Sequence, residues 1–228
     1  RVKVSTLEND TGRIEKCIEL VDWGASLRSF KSNEIFFTAT NFESSDELLA
    51  KHIKILESKG ENSSQLCYEK KISNDFVFSK GIHDYVKTTD RLYKDLMSSL
   101  KGLLNVKLSF QRYEKQYMVT HSMGISVGSE TKGERFSIQL VVGTGETKFT
   151  VYDSVGYTFR EITEEDIAVL FASCVERAKI MEKAKPGPAG IFPCILSSEA
   201  GGTLIHEAVG HGLEADLVDK GISIYKDR

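Results

Sequence analysis

Apolar side chains fall on every second position from Phe136 through Ile138 and Leu140 to Val142. A period of two belongs to a strand, whose side chains alternate between faces; on a helix the same residues would scatter around the axis. Val106, Leu108 and Phe110 alternate in the same way with Lys107, Ser109 and Gln111, the pattern of a strand with one buried face. A chain built on such runs needs a sheet, and its other segments must supply the remaining strands and their cover.

Up to about Ala39 the sequence reads as a meander. Val2, Val4 and Thr6 alternate, Asn9-Asp10-Thr11-Gly12 signals a turn, and Ile14 to Val21 resumes an extended pattern. Asp22-Trp23-Gly24 and Lys31-Ser32-Asn33 mark the next turns. Ser44 with Glu47 forms a capping-box signature that opens a helix presenting Leu48, Leu49, His52, Ile53 and Leu56. Residues 58–87 read mainly as a connecting segment. A second helix is expected from about Thr89, with Leu92, Leu96, Leu100 and Leu103 at helical spacing. Glu114-Lys115-Gln116 predicts a turn into Tyr117 to His121. The stretch from Glu130 to Glu134, centred on Gly133, predicts a break before Phe136. Gly143-Thr144-Gly145-Glu146 signals a hairpin leading into Phe149 and Val151. Thr163 with Asp166 caps a third helix, whose Ile167, Leu170, Phe171, Cys174, Val175 and Ala178 form one apolar face; the acidic run from Glu161 to Asp166 suits its N-terminus.

Strands come in runs instead of alternating singly with helices, so the fold class is α+β. Two antiparallel-sheet-plus-helix units follow one another, roughly 1–57 and 88–184, within an N-terminal domain of residues 1–185. Pro186-Gly187-Pro188-Ala189-Gly190 is the strongest punctuation in the chain and marks a boundary. Residues 186–228 then hold a strand, Ile191 to Leu196, and a helix capped by Ser197 or Ser198, as the start of a truncated C-terminal region. Arg1 opens directly on a strand-like pattern, and Ile222 to Tyr225 reads as another strand beginning, so both ends are expected to be cut.

Composition narrows the function. The 228 residues suffice for a core without disulfide staples. A formal charge of −3 and a pI near 6.0 give no electrostatic reason to expect nucleic acid or an anionic membrane as partner. No apolar run approaches the roughly 20 residues that span a bilayer. Cys17, Cys67, Cys174 and Cys194 are scattered without metal-ligand or redox spacing, which fits a reducing compartment and a cytoplasmic location.

The helix expected after Ser198 carries His206-Glu207-Ala208-Val209-Gly210-His211. Two imidazoles and an adjacent carboxylate are what a hydrolytic metal site uses: ligands for zinc, and a general base beside the reacting water. The common zinc-protease helix places its histidines four apart; here they are five apart. At about 100° per residue, a five-residue step leaves two side chains about 140° apart on a regular helix. A π-type turn would realign them, or the helix could end before His211, and Gly210 and Gly212 supply backbone freedom for either solution. Spacing alone does not separate a metal site from a chance string, and the chain shows no convincing third ligand.

The longer run Leu204-Ile205-His206-Glu207-Ala208-Val209-Gly210-His211-Gly212-Leu213-Glu214-Ala215-Asp216 resembles the signature of the TldD subunit of the TldD/TldE (PmbA) peptidases, also known as modulators of DNA gyrase. The order of elements before it also resembles that family's N-terminal domain. The resemblance implies a cytoplasmic zinc metallopeptidase acting on unfolded polypeptides or peptides. It also implies a heterodimer with a TldE/PmbA-type subunit, or self-association. His206 and His211 match the metal-binding histidines and Glu207 the catalytic glutamate; the third ligand, a cysteine, belongs to the family's C-terminal domain beyond Arg228. The chain alone is then expected to bind zinc weakly or not at all and to be inactive.

Other residues carry less. Cys194 precedes the motif by twelve positions and reads as a buried thiol or, less simply, as a ligand. Cys174 reads as core, His52 and His121 as packing or surface residues. Glu214 and Asp216 are either a solvated helix end or partners that orient a histidine. Two further functions stay open: a non-catalytic peptide-binding or assembly subunit with a remnant motif, holding extended peptides on sheet edges, and a metal-dependent hydrolase of another substrate class.

Overall fold

The computed structural model describes residues 1–31, 34–41, 47–48, 50–51, 53–54, 68–72, 76–121, 125–144 and 147–226. They form two compact units, Arg1–Ala184 and Lys185–Arg228.

The first unit is built on strands β1 (Val2–Asp10), β2 (Arg13–Asp22), β5 (Tyr68–Ile72), β6 (Leu103–His121), β7 (Ile125–Thr144) and β8 (Thr147–Thr158), with helices α1 (Asp84–Ser99) and α2 (Glu164–Glu182). The six strands make one sheet in the order β2-β1-β6-β7-β5, with β8 also on β7; every pairing is antiparallel except β5 with β7. Strands β3 (Ala25–Lys31) and β4 (Glu34–Thr40) form a separate two-stranded hairpin. Strands β1 and β2 of the first expected unit therefore share one sheet with β6, β7 and β8 of the second, joined where β1 pairs with β6.

Register follows the apolar period. Phe110 lies opposite both Leu7 and Phe136, Leu108 opposite Ile138, and Val106 opposite Leu140, so inward residues meet inward residues. All seven are fully buried, and α1 covers them with Tyr85, Leu92 and Leu96, α2 with Ile167, Leu170, Cys174 and Ala178. Each such side chain contributes about 1.5–3 kcal/mol by leaving water. The β1–β2 turn has Thr11 and Gly12 both at positive φ, 50° and 82°, the handedness a two-residue hairpin turn requires.

The same inward face continues past the apolar residues into a charge pair. Arg112 and Glu134 lie directly opposite on β6 and β7, and both are buried. Arg112 Nε donates to Glu134 Oε1 at 2.9 Å and its second terminal nitrogen bonds the same oxygen. Glu134 Oε2 accepts from the Tyr85 hydroxyl at 3.3 Å and the Ile162 amide at 2.9 Å. Arg112 also donates to the Lys80 carbonyl and lies 3.9 Å over the Phe78 ring. The pair thus ties the sheet to α1, to the segment before it and to the segment leading into α2.

Four expected boundaries are corrected. The turn at Glu114-Lys115-Gln116 and the break at Glu130 to Glu134 do not occur; both lie inside long strands paired to each other throughout. Gly133 serves close approach instead of a turn, since a Cβ there would fall 2.5 Å from the hydroxyl of Tyr113 on the opposing strand. The second helix begins at Asp84, five residues earlier than Thr89, with buried Tyr85 anchoring its first turn and Asp84 accepting from the Gly81 amide at 2.7 Å. Within 58–87, β5 adds a parallel strand whose charged sequence carries no apolar period. Of the helix expected after Ser44, residues 47–48, 50–51 and 53–54 are helical; Ser44 and His52, the Ser32-Asn33 turn and Cys67 lie outside the described residues.

The cap of α2 is formed as expected. Thr163 and Asp166 make a reciprocal capping box, and Asp166 also accepts from Tyr157 at 2.9 Å and from Arg160. Burial opposes ionisation of Asp166, but the bonds from Thr163 and Tyr157 and the charge of Arg160 outweigh it and hold the carboxyl down at about 2. That value lies below the unfolded one, about 3.9, so the contribution is complete above the unfolded value and vanishes as pH falls through the folded one. Asp166→Asn is expected to cost about 1–2 kcal/mol at pH 7. Denaturant unfolding at decreasing pH should show its gap from the wild type closing between about pH 4 and pH 2.

In the second unit, α3 (Ser198–Ile205) is capped by Ser197, whose Oγ accepts from the Ala200 amide at 3.3 Å. It runs into a π turn, His206–Gly210, a 3-10 turn, His211–Leu213, and α4 (Ala215–Asp219). The strand expected from Ile191 to Leu196 is irregular, with Ile191 and Ile195 fully exposed. A strand persists through cross-strand bonds; no described strand pairs with this stretch, and Pro193 has no amide to donate. The strand expected from Ile222 is a turn, because the Ile222 and Ser223 amides both donate to the Leu217 carbonyl, at 3.0 and 3.1 Å, and so close α4.

Candidate metal centre

The five-residue step between the histidines is accommodated by widening the helix. At the end of the π turn the His211 amide donates to the His206 carbonyl, a bond spanning five residues where an α-helix spans four. Their rings meet edge to face with centroids 4.7 Å apart. One donor atom each from His206, Glu207 and His211 lies within 4.8 Å of the others, and all three residues are exposed. Glu207 Oε2 is 3.6 Å from His211 Nε2, and Glu214 Oε1 is 2.5 Å from His211 Nδ1.

The glycines act differently from the expectation. Gly210 takes an ordinary helical φ of −57°, and a Cβ there would meet nothing closer than 3.9 Å. Gly212 is a close-approach position, where a Cβ would fall 2.6 Å from the Tyr225 ring. The Ser223 hydroxyl donates to the Gly212 carbonyl from the other side. Neither Ser223 nor Tyr225 has a linear signature, because both follow His211 by more than ten residues and reach it only through the turn after α4.

Glu214 dominates the electrostatics. Its hydrogen bond and its charge, aided by Glu207 against a small burial effect, raise the His211 pKa above the ordinary histidine value. Asp216 pairs with Lys220 at 3.1 Å, one helical turn along α4, which is the solvated-end reading. Cys194 is exposed rather than buried, stands outside the three-residue cluster, and donates to the Phe192 carbonyl at 3.5 Å. Cys174 is core as expected, its thiol pushed up to about 12 by burial first and by Asp153. Cys17 Sγ lies 3.7 Å from His83 Nδ1 in the first unit, and His121 is exposed at the end of β6.

Two histidines and a neighbouring glutamate brought together on one helical stretch are the residue types that a metal-dependent hydrolase uses, and comparison with known proteins points the same way. The chain is 26% identical to a metalloprotease of Methanocaldococcus jannaschii over 98% of its own length and 52% of the relative's. It is 25% identical to a TldD-homologue metalloprotease of Buchnera aphidicola, over 90% of this chain and 46% of that one. In fold it superposes with a TM-score of 0.73 on a Bacteroides thetaiotaomicron protein provisionally assigned as a modulator of DNA gyrase, at 14% identity, covering 96% of this chain and 52% of that one. No protein-family model matches the chain. These likenesses support membership of the TldD/TldE family, and the chain spans about half the length of these relatives. No helix among the described residues is long and apolar enough to cross a membrane.

Proposed function

We propose that the full-length protein is a zinc-dependent peptidase that cuts unfolded polypeptides or peptides, with His206 and His211 as metal ligands and Glu207 as general base. The convergence of these three side chains on the widened turn carries the reading, in a chain whose relatives bear the name metalloprotease. Two imidazoles form a borderline-soft donor set that suits zinc. The third protein ligand is assigned to a cysteine beyond Arg228, as the family resemblance implies, so the chain alone would hold zinc weakly and would not cleave. Zinc held there would polarise a substrate carbonyl and acidify water. Glu207 would take a proton at its carboxylate from the attacking water and return it to the departing amine. The partner proposed is a TldE/PmbA-type subunit or a second copy, and the compartment the cytoplasm.

Full-length protein is expected to carry one zinc per motif and to lose it in His206→Ala or His211→Ala. Its zinc affinity should fall with falling pH through a His211 titration displaced above about 6.5, because the proton that Glu214 and Glu207 favour competes with the metal for the ring. Metal analysis across pH checks both. Absence of stoichiometric metal, or metal indifferent to both substitutions, overturns the reading and favours the non-catalytic peptide-binding or assembly subunit.

A further inference from the structure

The ring of His211 is addressed from two sides. Its Nε2 lies toward the Glu207 carboxylate, at 3.6 Å, on the side of the three-residue cluster, and its Nδ1 lies 2.5 Å from Glu214 Oε1. An ionised carboxylate only accepts hydrogen bonds, so the pairing places the proton of the neutral ring on Nδ1 and leaves the Nε2 lone pair free. We infer that Glu214 is a positioning residue for His211, fixing its tautomer and ring orientation so that Nε2 is presented to the metal. This rests on the metal-site reading of His206 and His211.

Three further observations support the assignment. Glu214 occupies the N-cap of α4, with φ −62° and ψ 127°, where a polar side chain ordinarily accepts from the helix's first amides, yet it makes no capping bond and turns to His211 instead. The turn between the two residues is braced from behind. Ser223, buried at 7% exposure, donates its hydroxyl to the Gly212 carbonyl, the Tyr225 amide donates to Ser223 Oγ at 3.0 Å, and the Tyr225 ring packs where a Gly212 side chain would stand. Asp216, the other nearby acid, is engaged with Lys220. A carboxylate behind a ligating imidazole raises its basicity and holds its plane, and removing such a partner typically weakens metal binding about ten- to hundredfold.

The test uses full-length protein labelled with ¹⁵N-histidine, and zinc as the probe. In the metal-free wild type, with the ring neutral, ¹H–¹⁵N correlations should show His211 as the Nδ1–H tautomer; an Nε2–H ring or an even mixture overturns the inference. By chelator competition, Glu214→Gln should bind zinc about tenfold more weakly and Glu214→Ala about a hundredfold, with the metal-free melting temperature unchanged. Unchanged zinc affinity in both variants also overturns it. If Glu214→Ala fails to fold, the wild-type tautomer decides. A wild type that binds no zinc through His206 and His211 sinks the metal-site reading, whereas the tautomer of metal-free His211 tests Glu214 separately.

Discussion

Glu207→Gln in the full-length protein is expected to lower peptide cleavage by at least about 10²-fold while zinc stays bound. General-base transfer contributes roughly 10²–10⁴-fold in rate, and an amide cannot take a proton from water. The amide keeps the size and exposed position of the carboxylate beside His206 and His211, so the widened turn should survive the change. His211 loses one of the two carboxylates that favour its protonated form, which makes the metal's competition with protons slightly easier. The signature is therefore a fall in kcat with unchanged or slightly tighter zinc binding, read by steady-state cleavage of an unfolded polypeptide alongside metal analysis. Cleavage retained near the wild-type rate would falsify the role of Glu207. Loss of metal together with activity would instead mark it as a ligand.

The largest stability effect is expected far along the sequence from that site. Glu134→Ala leaves Arg112 buried without its carboxylate, the Tyr85 hydroxyl and the Ile162 amide without their acceptor, and a cavity between β7 and α1. Removing one partner of a buried ion pair typically costs about 3–5 kcal/mol, because the remaining charge stays desolvated. That is a large share of the 5–15 kcal/mol that holds an ordinary domain together. The cost belongs to the orphaned charge, so it should shrink when Arg112 is made apolar as well: Arg112→Met with Glu134→Leu should recover most of the loss. Urea unfolding of Arg112→Met, Glu134→Leu and the double variant, with Glu134→Ala beside them and followed by circular dichroism, measures this cycle. A loss below about 1 kcal/mol for Glu134→Ala, or simple additivity in the double variant, contradicts the account.

Much of the sheet could be read along the chain because its signal is local. The alternation through Phe136, Ile138, Leu140 and Val142 specifies one buried face wherever the partner strands come from, and those residues lie fully buried in β7. The Thr163–Asp166 cap and the Asn9–Gly12 turn were equally readable, since the bonds that define each, the reciprocal capping box and the Gly12 amide to Asn9 Oδ1, join residues three apart. The misread turns had a shared cause. Glu114 to Gln116 and Glu130 to Glu134 look like punctuation because they are charged or glycine-containing, yet each is a stretch of strand opposite the other. Their polar character reflects a sheet that ends its apolar stripe in the Arg112–Glu134 pair and lets Tyr113 lie across Gly133. No single-strand pattern contains that information.

The metal motif divides in the same way. By itself the sequence determined the residue types, the five-residue step and the geometric demand that a regular helix cannot meet, because these follow from spacing and from about 100° per residue. It also carried the family likeness in Leu204 to Asp216. Only the tertiary structure decided how the demand is met, by the π turn at His206–Gly210, and which acid meets His211: Glu214 turns to its ring while Asp216 pairs with Lys220. The choice between those acids depends on the backbone bend at Glu214 and on the Ser223 and Tyr225 contacts that hold it, and such contacts join residues that linear spacing does not relate.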